Sequence, residues 1–291
     1  MVVQDATATN APAKMREFEF NDADFNGLRA LVKRVTGIHL ADTKRELVYG
    51  RISRRLRVLG LRSFREYRDF AEREGNDAEL IELCNAITTN LTSFFREAHH
   101  FTYLAEKFLE PIVKEQPMRR RLRLWSAGCS TGEEPYSIAM TICETLPDWT
   151  SWDIKILATD IDSDVLDRAR AGVYREDRVS GMNPRRVKTF FREHREGAAR
   201  SYRVIPELRG MITFKQLNLM HELPMHGPLD VIFCRNTVIY FDKDTQRQLF
   251  ARVDRLQRPG DLLFLGHSES LFKVSDAYTL IGKTIYRRHG P

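Results

Sequence analysis

Residues 122–136, LRLWSAGCSTGEEPY, constrain the fold of this chain more than any other stretch. A short apolar run, Leu122, Leu124 and Trp125, breaks into a small turn bounded by Gly128 and Gly132. A helix start follows, with Glu133 and Glu134 in its first turn and Pro135 at an early position, where a missing amide costs little. A strand, a glycine turn and a helix in this order open a nucleotide-type α/β domain. The usual GxGxxG is absent, and acids at the mouth of the helix would repel a pyrophosphate.

Beyond this unit, short apolar runs alternate with helical stretches. The runs are 122–125, 154–160, 212–218, 229–236 and 261–267, and an extended piece at 284–289 closes the chain. Runs of this length between helices predict a parallel sheet covered on both faces. Residues 172–211 break the alternation with a polar helix near 184–191, a charged loop and a short extended 201–205, and read as an insertion. Upstream, residues 18–115 carry helical signals. Thr43 to Glu46 and Ser63 to Glu66 match the capping box, in which hydroxyl and carboxylate satisfy orphan amides. Val48, Ile52, Leu56 and Leu59 recur at helical spacing before Gly60, and a further helix is expected over 77–89. The predicted organisation is a disordered tail 1–17, a helical domain 18–115, a linker 116–121 and an α/β domain 122–291 carrying the insertion 172–211.

Bulk properties exclude several classes. No apolar run approaches the ~20 residues a membrane helix needs, and the first 15 residues lack the apolar core of a secretory signal. The four cysteines, Cys84, Cys129, Cys143 and Cys234, form no CxxC and no cluster with histidine, so neither disulfides nor a metal site is expected. A reduced, cytoplasmic monomer is the expectation. Residues 44–73 hold ten basic and four acidic side chains, an excess equal to the +6 of the whole chain. Arg51, Arg54, Arg55 and Arg57 project mostly away from the apolar stripe and call for an acidic partner. No aromatic residues interleave them, which argues against nucleic acid.

Ligands of open α/β sheets lie at the carboxyl ends of the strands. Four such ends are polar here: Gly128 to Glu133, Asp160, Asn218 with Leu219, and Arg235 with Asn236. An acid closing the second strand can accept from both ribose hydroxyls, each charged bond contributing about 1.5–3 kcal/mol. Its competing role as a helix cap is weakened because Asp162 or Ser163 could cap equally well. Acids beside a hydroxyl-binding site suit a cationic nucleoside, S-adenosylmethionine. Glu133 is the expected contact, and Glu134 a favourable charge in the first helical turn. Asn90, Thr92 and Arg96 lie outside the sheet, in a stretch whose paired phenylalanines alone would read as core packing.

TTNLTSFFRE, WSAGCSTGEEPYSIAM, ATDID, FKQLNL, FCRNTVIYFD and GHSES occur in this order. In these motifs the chain resembles the CheR family, the chemoreceptor glutamate methyltransferases of bacterial chemotaxis. The resemblance spans residues 18–290 and implies a Rossmann-like S-adenosylmethionine-dependent methyltransferase domain, an N-terminal all-helical domain and a small antiparallel β insertion. It implies cofactor contacts from Asn90, Thr92, Arg96, Glu133, Asp160, Asn218, Leu219, Arg235 and Asn236, with Arg96 and Tyr240 at the reacting centre. The substrate implied is the glutamate-bearing methylation helix of a receptor, docked on the arginines, and S-adenosylhomocysteine is the product. In some members the insertion grips a tether peptide at the receptor C-terminus. Two positions depart from the family pattern: Leu91 where glutamate is frequent, and Thr237 in a commonly apolar stretch.

Other readings fare less well. Exocyclic-nitrogen methyltransferases resemble one another in an Asp/Asn-Pro-Pro-Tyr motif, and here that place reads Cys234-Arg-Asn-Thr237. Cys234 follows Phe233 rather than the proline of cytosine C5 enzymes, and reads as a buried strand residue. A non-catalytic adaptor has no use for Arg96, Asp160, Asn236 and Tyr240 together, and a nicotinamide dehydrogenase would need the missing phosphate loop.

Overall fold

Local signals in the N-terminal region produce four helices, Asp22–Thr36, Arg45–Leu59, Phe64–Ala71 and Asp77–Ile87, in a computed structural model that describes residues 16–116, 118–196 and 199–290. Ser63 caps the third helix as expected, its side chain accepting from the Glu66 amide at 3.1 Å. The Thr43 box does not form. A 3-10 turn over Asp42–Lys44 feeds the second helix, and Lys44 makes no side-chain cap. Phe25, Leu28, Val48, Ile52, Leu56, Phe64 and Leu83 close one core, which ends at Ile87. The tail expected over 1–17 lies outside the described residues as far as residue 15. Arg16 and Glu17 belong to the folded lobe, paired with Glu46 and Arg57.

The helical stretch 99–115, with π-helical turns over Leu104–Leu109, does not join that core. Phe101, Leu104, Leu109 and Ile112 pack with Leu122, Leu124, Phe233 and Phe264 against the sheet. The two lobes therefore divide near residue 88 rather than at 115, because this helix turns its apolar face to the strands.

The strands in chain order are β1 Arg121–Ala127, β2 Asp153–Asp160, β3 Val173–Arg175, β4 Phe191–Glu196, β5 Ala199–Val204, β6 Ile212–Gln216, β7 Val231–Cys234, β8 Leu262–Leu265, β9 Tyr278–Gly282 and β10 Ile285–Arg288. Seven of them form one sheet in the order β6-β2-β1-β7-β8-β10-β9. The first five run parallel, and every residue of β7 and β8 is buried, as strands covered on both faces require. β10 runs antiparallel to both β8 and β9, so the sheet is mixed. β9 carries no apolar run to announce it: it is an edge strand, with Leu280 59% exposed.

The insertion folds as an antiparallel sheet, β3-β5-β4, as expected. Its charged segment is strand β4 rather than a loop. No helix among the described residues is long and apolar enough to cross a membrane.

Candidate active site

The strand order reverses direction beside β1, with β2 on one side and β7 on the other. That switch point opens a cleft at the carboxyl ends of the strands. The cleft occupies about 1240 Å³ including its open mouth, and the helical lobe roofs it through Ile38, His39, Leu40 and Thr88.

Its floor is the loop after β1. Gly128 and Cys129 both donate their amides to the Thr159 carbonyl, at 2.8 and 2.9 Å. The Ser130 amide donates to Asp160 Oδ2 at 2.8 Å. Three loop amides are thus spent on the end of β2, leaving them no role as a phosphate cradle. Gly128 has φ +82°, and a Cβ there would strike the Thr237 hydroxyl. Thr237, one of the two departures, instead donates to the Ala127 carbonyl at 3.2 Å and so fastens the β7 loop to the β1 loop.

Asp160 sits at the cleft wall, and Asp162 performs the capping of the next helix by accepting from the Asp164 and Val165 amides. Asp160 also accepts from the Asp162 amide at 3.0 Å. Burial pushes its carboxyl up to about 6, against which the backbone hydrogen bonds act. Asn90 lines the cleft too, and its side chain reaches Asp162 Oδ2 at 2.7 Å. Asp162 thereby ties the Asn90 segment to the end of β2, a role its sequence position did not announce.

The two acids of the helix start exchange expected places. Glu133 is 1% exposed and does not line the cleft. Its carboxylate pairs with Arg178 of the insertion and accepts from Thr131 Oγ1 at 2.6 Å. Arg178 also donates to the Thr92 carbonyl at 2.8 Å, so this pair positions the Thr92 segment. Glu134 does line the cleft, accepting from Ser126 Oγ at 2.7 Å and from Arg235 Nη1 at 3.0 Å. Burial raises its pKa, opposed by the Arg235 guanidinium.

Arg235 is the interior tie of the site. Its side chain is 2% exposed, and Nη2 donates to the Arg96 carbonyl at 2.5 Å. Nη2 also lies 3.3 Å from Glu97 Oε2. Phe95 and Glu97 both take positive φ, 54° and 58°, so the turn around Arg96 is held in a costly conformation by these contacts. The half-buried Arg96 side chain donates to the Leu91 carbonyl at 2.8 Å and faces the cleft. Tyr240 lines the same mouth. Burial raises its pKa, with Arg96 and Arg51 acting to lower it.

Asn218 and Leu219 line the opposite wall. Asn218 donates to the Val35 carbonyl at 2.7 Å, bridging the lobes. The structure thus brings Asn90, Thr92, Arg96, Gly128, Asp160, Asn218, Leu219, Arg235, Asn236 and Tyr240 to one cleft and leaves out Glu133. Glu97, His99 and His100 place three donor atoms within 4.8 Å of one another, but Glu97 is already engaged by Arg235 and His267.

The arginine row is largely spent within the fold. Arg51 donates to the Ala86, Ile87 and Thr88 carbonyls at 3.0, 2.8 and 2.6 Å, closing the end of a helix. Arg55 binds Glu79 and Glu82, and Arg57 pairs with Glu17. Positions 51 and 55 share one helical face, and that face meets the Asp77–Ile87 helix. Only Arg54 of the four is exposed without an ion pair among the described residues. Cys234 is 1% exposed at the end of β7 with its thiol pKa pushed well up by burial, which removes it as a nucleophile.

The donor set fits S-adenosylmethionine. A buried acceptor stands at the end of β2, and the amides a phosphate would need are consumed. Comparison with known proteins agrees. The model for the CheR methyltransferase SAM-binding domain matches residues 90–287, and that for the CheR methyltransferase all-alpha domain matches residues 23–88. Chemotaxis protein methyltransferase 2 of Pseudomonas aeruginosa is 45% identical over 282 residues, covering 96% of this chain and 98% of its own. The chemotaxis protein methyltransferase of Escherichia coli is 42% identical over 270 residues, covering 91% of each. That of Borreliella burgdorferi is 39% identical over 239 residues, covering 81% of this chain and 83% of its own. Matched from the first long helix to the last strand, the chain belongs to the CheR family of S-adenosylmethionine-binding methyltransferases.

Proposed function

We propose that this methyltransferase esterifies glutamate side chains of chemoreceptors, producing glutamate methyl esters and S-adenosylhomocysteine. The observation that carries the proposal is that Arg96 and Tyr240 both line a cleft whose wall holds Asp160. The relatives' names, chemotaxis protein methyltransferase, supply the class of substrate.

Bound S-adenosylmethionine supplies a methyl group activated on a sulfonium. Asp160 would accept from the ribose hydroxyls, and Asn90, Thr92, Asn218, Leu219 and Asn236 would line the remainder of the ligand. A glutamate carboxylate is already ionised at neutral pH, its reference pKa being ~4.3, so attack needs no general base. What the protein must do is orient that carboxylate and remove water around it. Arg96 provides a guanidinium for one carboxylate oxygen. Tyr240, with its pKa raised, stays protonated and donates to the other. Exposed Arg54, together with Arg62, Arg65 and Arg73, leaves positive charge on the helical lobe for an acidic helix.

Incubation with methyl-labelled S-adenosylmethionine and receptor-containing membranes should yield base-labile methyl esters on receptor. Label on nucleic acid, or none, would overturn the proposal. In the same assay Tyr240→Phe should lower kcat by about tenfold, within the span of a lost hydrogen bond to a charged group, and leave cofactor affinity near wild type. Unchanged turnover would remove Tyr240 from the mechanism.

A further inference from the structure

Glu269 lies in the loop after β8 and does not line the cleft, yet its carboxylate is almost wholly enclosed, with 5% of the residue exposed. Oε2 accepts from the Asn236 amide at 2.8 Å and from the Gly266 amide at 2.6 Å. Oε1 accepts from the Ile239 amide at 3.2 Å. Two of these three donors belong to the loop after β7, the segment that carries Asn236 and Tyr240 to the cleft. No cation pairs with Glu269 among the described residues, so the charge is met by backbone dipoles alone.

We propose that Glu269 is a positioning residue for the cofactor side of the site, a carboxylate latch that fixes the Asn236–Tyr240 loop without touching the ligand; this rests on the reading of Asn236 as a cofactor contact. Asn236 needs such a latch because its φ is +56°, a left-handed conformation that an asparagine adopts at some cost. Gly266 is part of the same device. A Cβ at Gly266 would strike the Asn236 side chain and lie 2.8 Å from Glu269 Oε2. The glycine therefore lets the loops after β7 and β8 approach until one carboxylate spans both.

The geometry demands an acceptor at both oxygens. A glutamine has one acceptor and one amide, and the amide would face backbone N–H groups. Leaving a buried donor unpaired carries a penalty sufficient for about a tenfold change in an equilibrium. Asp230 provides the control. It is another buried carboxylate, bound by Arg119, Arg258 and the Arg123 amide, but it precedes β7 at the far end of the sheet from the cleft.

The test measures S-adenosylhomocysteine binding by calorimetry, thermal midpoint, and the separate KM values for S-adenosylmethionine and receptor, in Glu269→Gln, Gly266→Ala and Asp230→Asn. Glu269→Gln and Gly266→Ala should each bind S-adenosylhomocysteine about tenfold more weakly and raise the S-adenosylmethionine KM, with kcat lowered as well because the same loop carries Tyr240. Asp230→Asn should lower the midpoint while binding as wild type does. Two results would overturn the latch: wild-type binding in folded Glu269→Gln or, should that variant fail to fold, in Gly266→Ala; or affinity that tracks the midpoint across all three. A wild-type protein that binds no S-adenosylhomocysteine would instead overturn the cofactor reading itself, and the latch with it.

Discussion

Asp160 shows how one residue can carry opposite consequences for binding and for stability. Its ordinary value is near 3.8, and burial raises it to about 6. The folded protein therefore binds a proton here that the unfolded chain releases, and between those two values stability from this group falls as pH rises. Ionised Asp160 burdens the ligand-free fold above pH 6, and that burden is relieved as pH falls. If Asp160 accepts from the ribose as proposed, ligand affinity runs the other way, because a protonated carboxyl loses an acceptor. The rise in thermal midpoint caused by S-adenosylhomocysteine should accordingly shrink as pH drops through about 6. Asp160→Asn should bind weakly at all pH values and flatten that dependence. A wild-type increment that stays constant between pH 7 and pH 5 would contradict this role. The place of Asp160 at the cleft wall was legible in the sequence, because the acid ends the second strand at the carboxyl edge of the sheet. The place of Glu133 was not. Only the fold sets Arg178, 45 residues downstream, against it, so that its carboxylate braces the insertion instead of lining the cleft.

At the scale of elements, the Arg45–Leu59 helix separates charge that stabilises from charge left free. Arg55 is locked to Glu79, which is 6% exposed and also accepts from the Tyr67 hydroxyl at 2.8 Å. Removing the arginine leaves a buried carboxylate without its cation, so Arg55→Ala should cost about 3 kcal/mol in a denaturant titration. Arg54→Glu should leave stability within about 0.5 kcal/mol. It should slow receptor methylation at low salt, and the defect should fade as ionic strength rises and the Debye length shrinks below about 8 Å. S-adenosylhomocysteine affinity should not change. Equal receptor kinetics in Arg54→Glu and wild type would remove this helix from substrate docking. The sequence reads this helix well as an amphipathic unit, since Val48, Ile52 and Leu56 lie on one stripe. It cannot say which arginines meet partners. Periodicity assigns faces, whereas the packing of the Asp77–Ile87 helix assigns neighbours.

At the scale of the whole molecule, the site exists only where the two lobes meet. Asn218 binds Val35, the His39 amide donates to the Tyr240 carbonyl at 2.8 Å, and Lys33 pairs with Asp242 at 2.8 Å. Asn85 exchanges hydrogen bonds with Ser163, and Thr88 donates to Asp162 Oδ2 at 2.7 Å. Loosening this seam should open the roof rather than melt either core. Asn218→Ala should speed amide exchange in residues 35–40 while protection in β1 and β7 persists. Faster exchange spread evenly over the sheet would show instead that the lobes unfold as one unit.

What the sequence determined alone follows from short-range physics. Apolar runs punctuated by glycine and polar turns produce the five parallel strands and the loop after β1, and capping and helical spacing produce much of the N-terminal lobe. The order of motifs fixes which residues stand at the strand ends. The tertiary structure decided what depends on neighbours distant in the chain. It gave the 99–115 helix to the sheet, placed Glu134 rather than Glu133 in the cleft, and closed Glu269 over the Asn236 loop. It also made an edge strand of Tyr278–Gly282 and a paired strand of the charged segment after residue 190. These features have no periodic signature, because a salt bridge or an edge pairing is chosen by what the rest of the fold presents to it. So the GEEP turn announced the binding fold from its own residues, while the direction each of its two carboxylates faces was settled by Arg178 and Arg235.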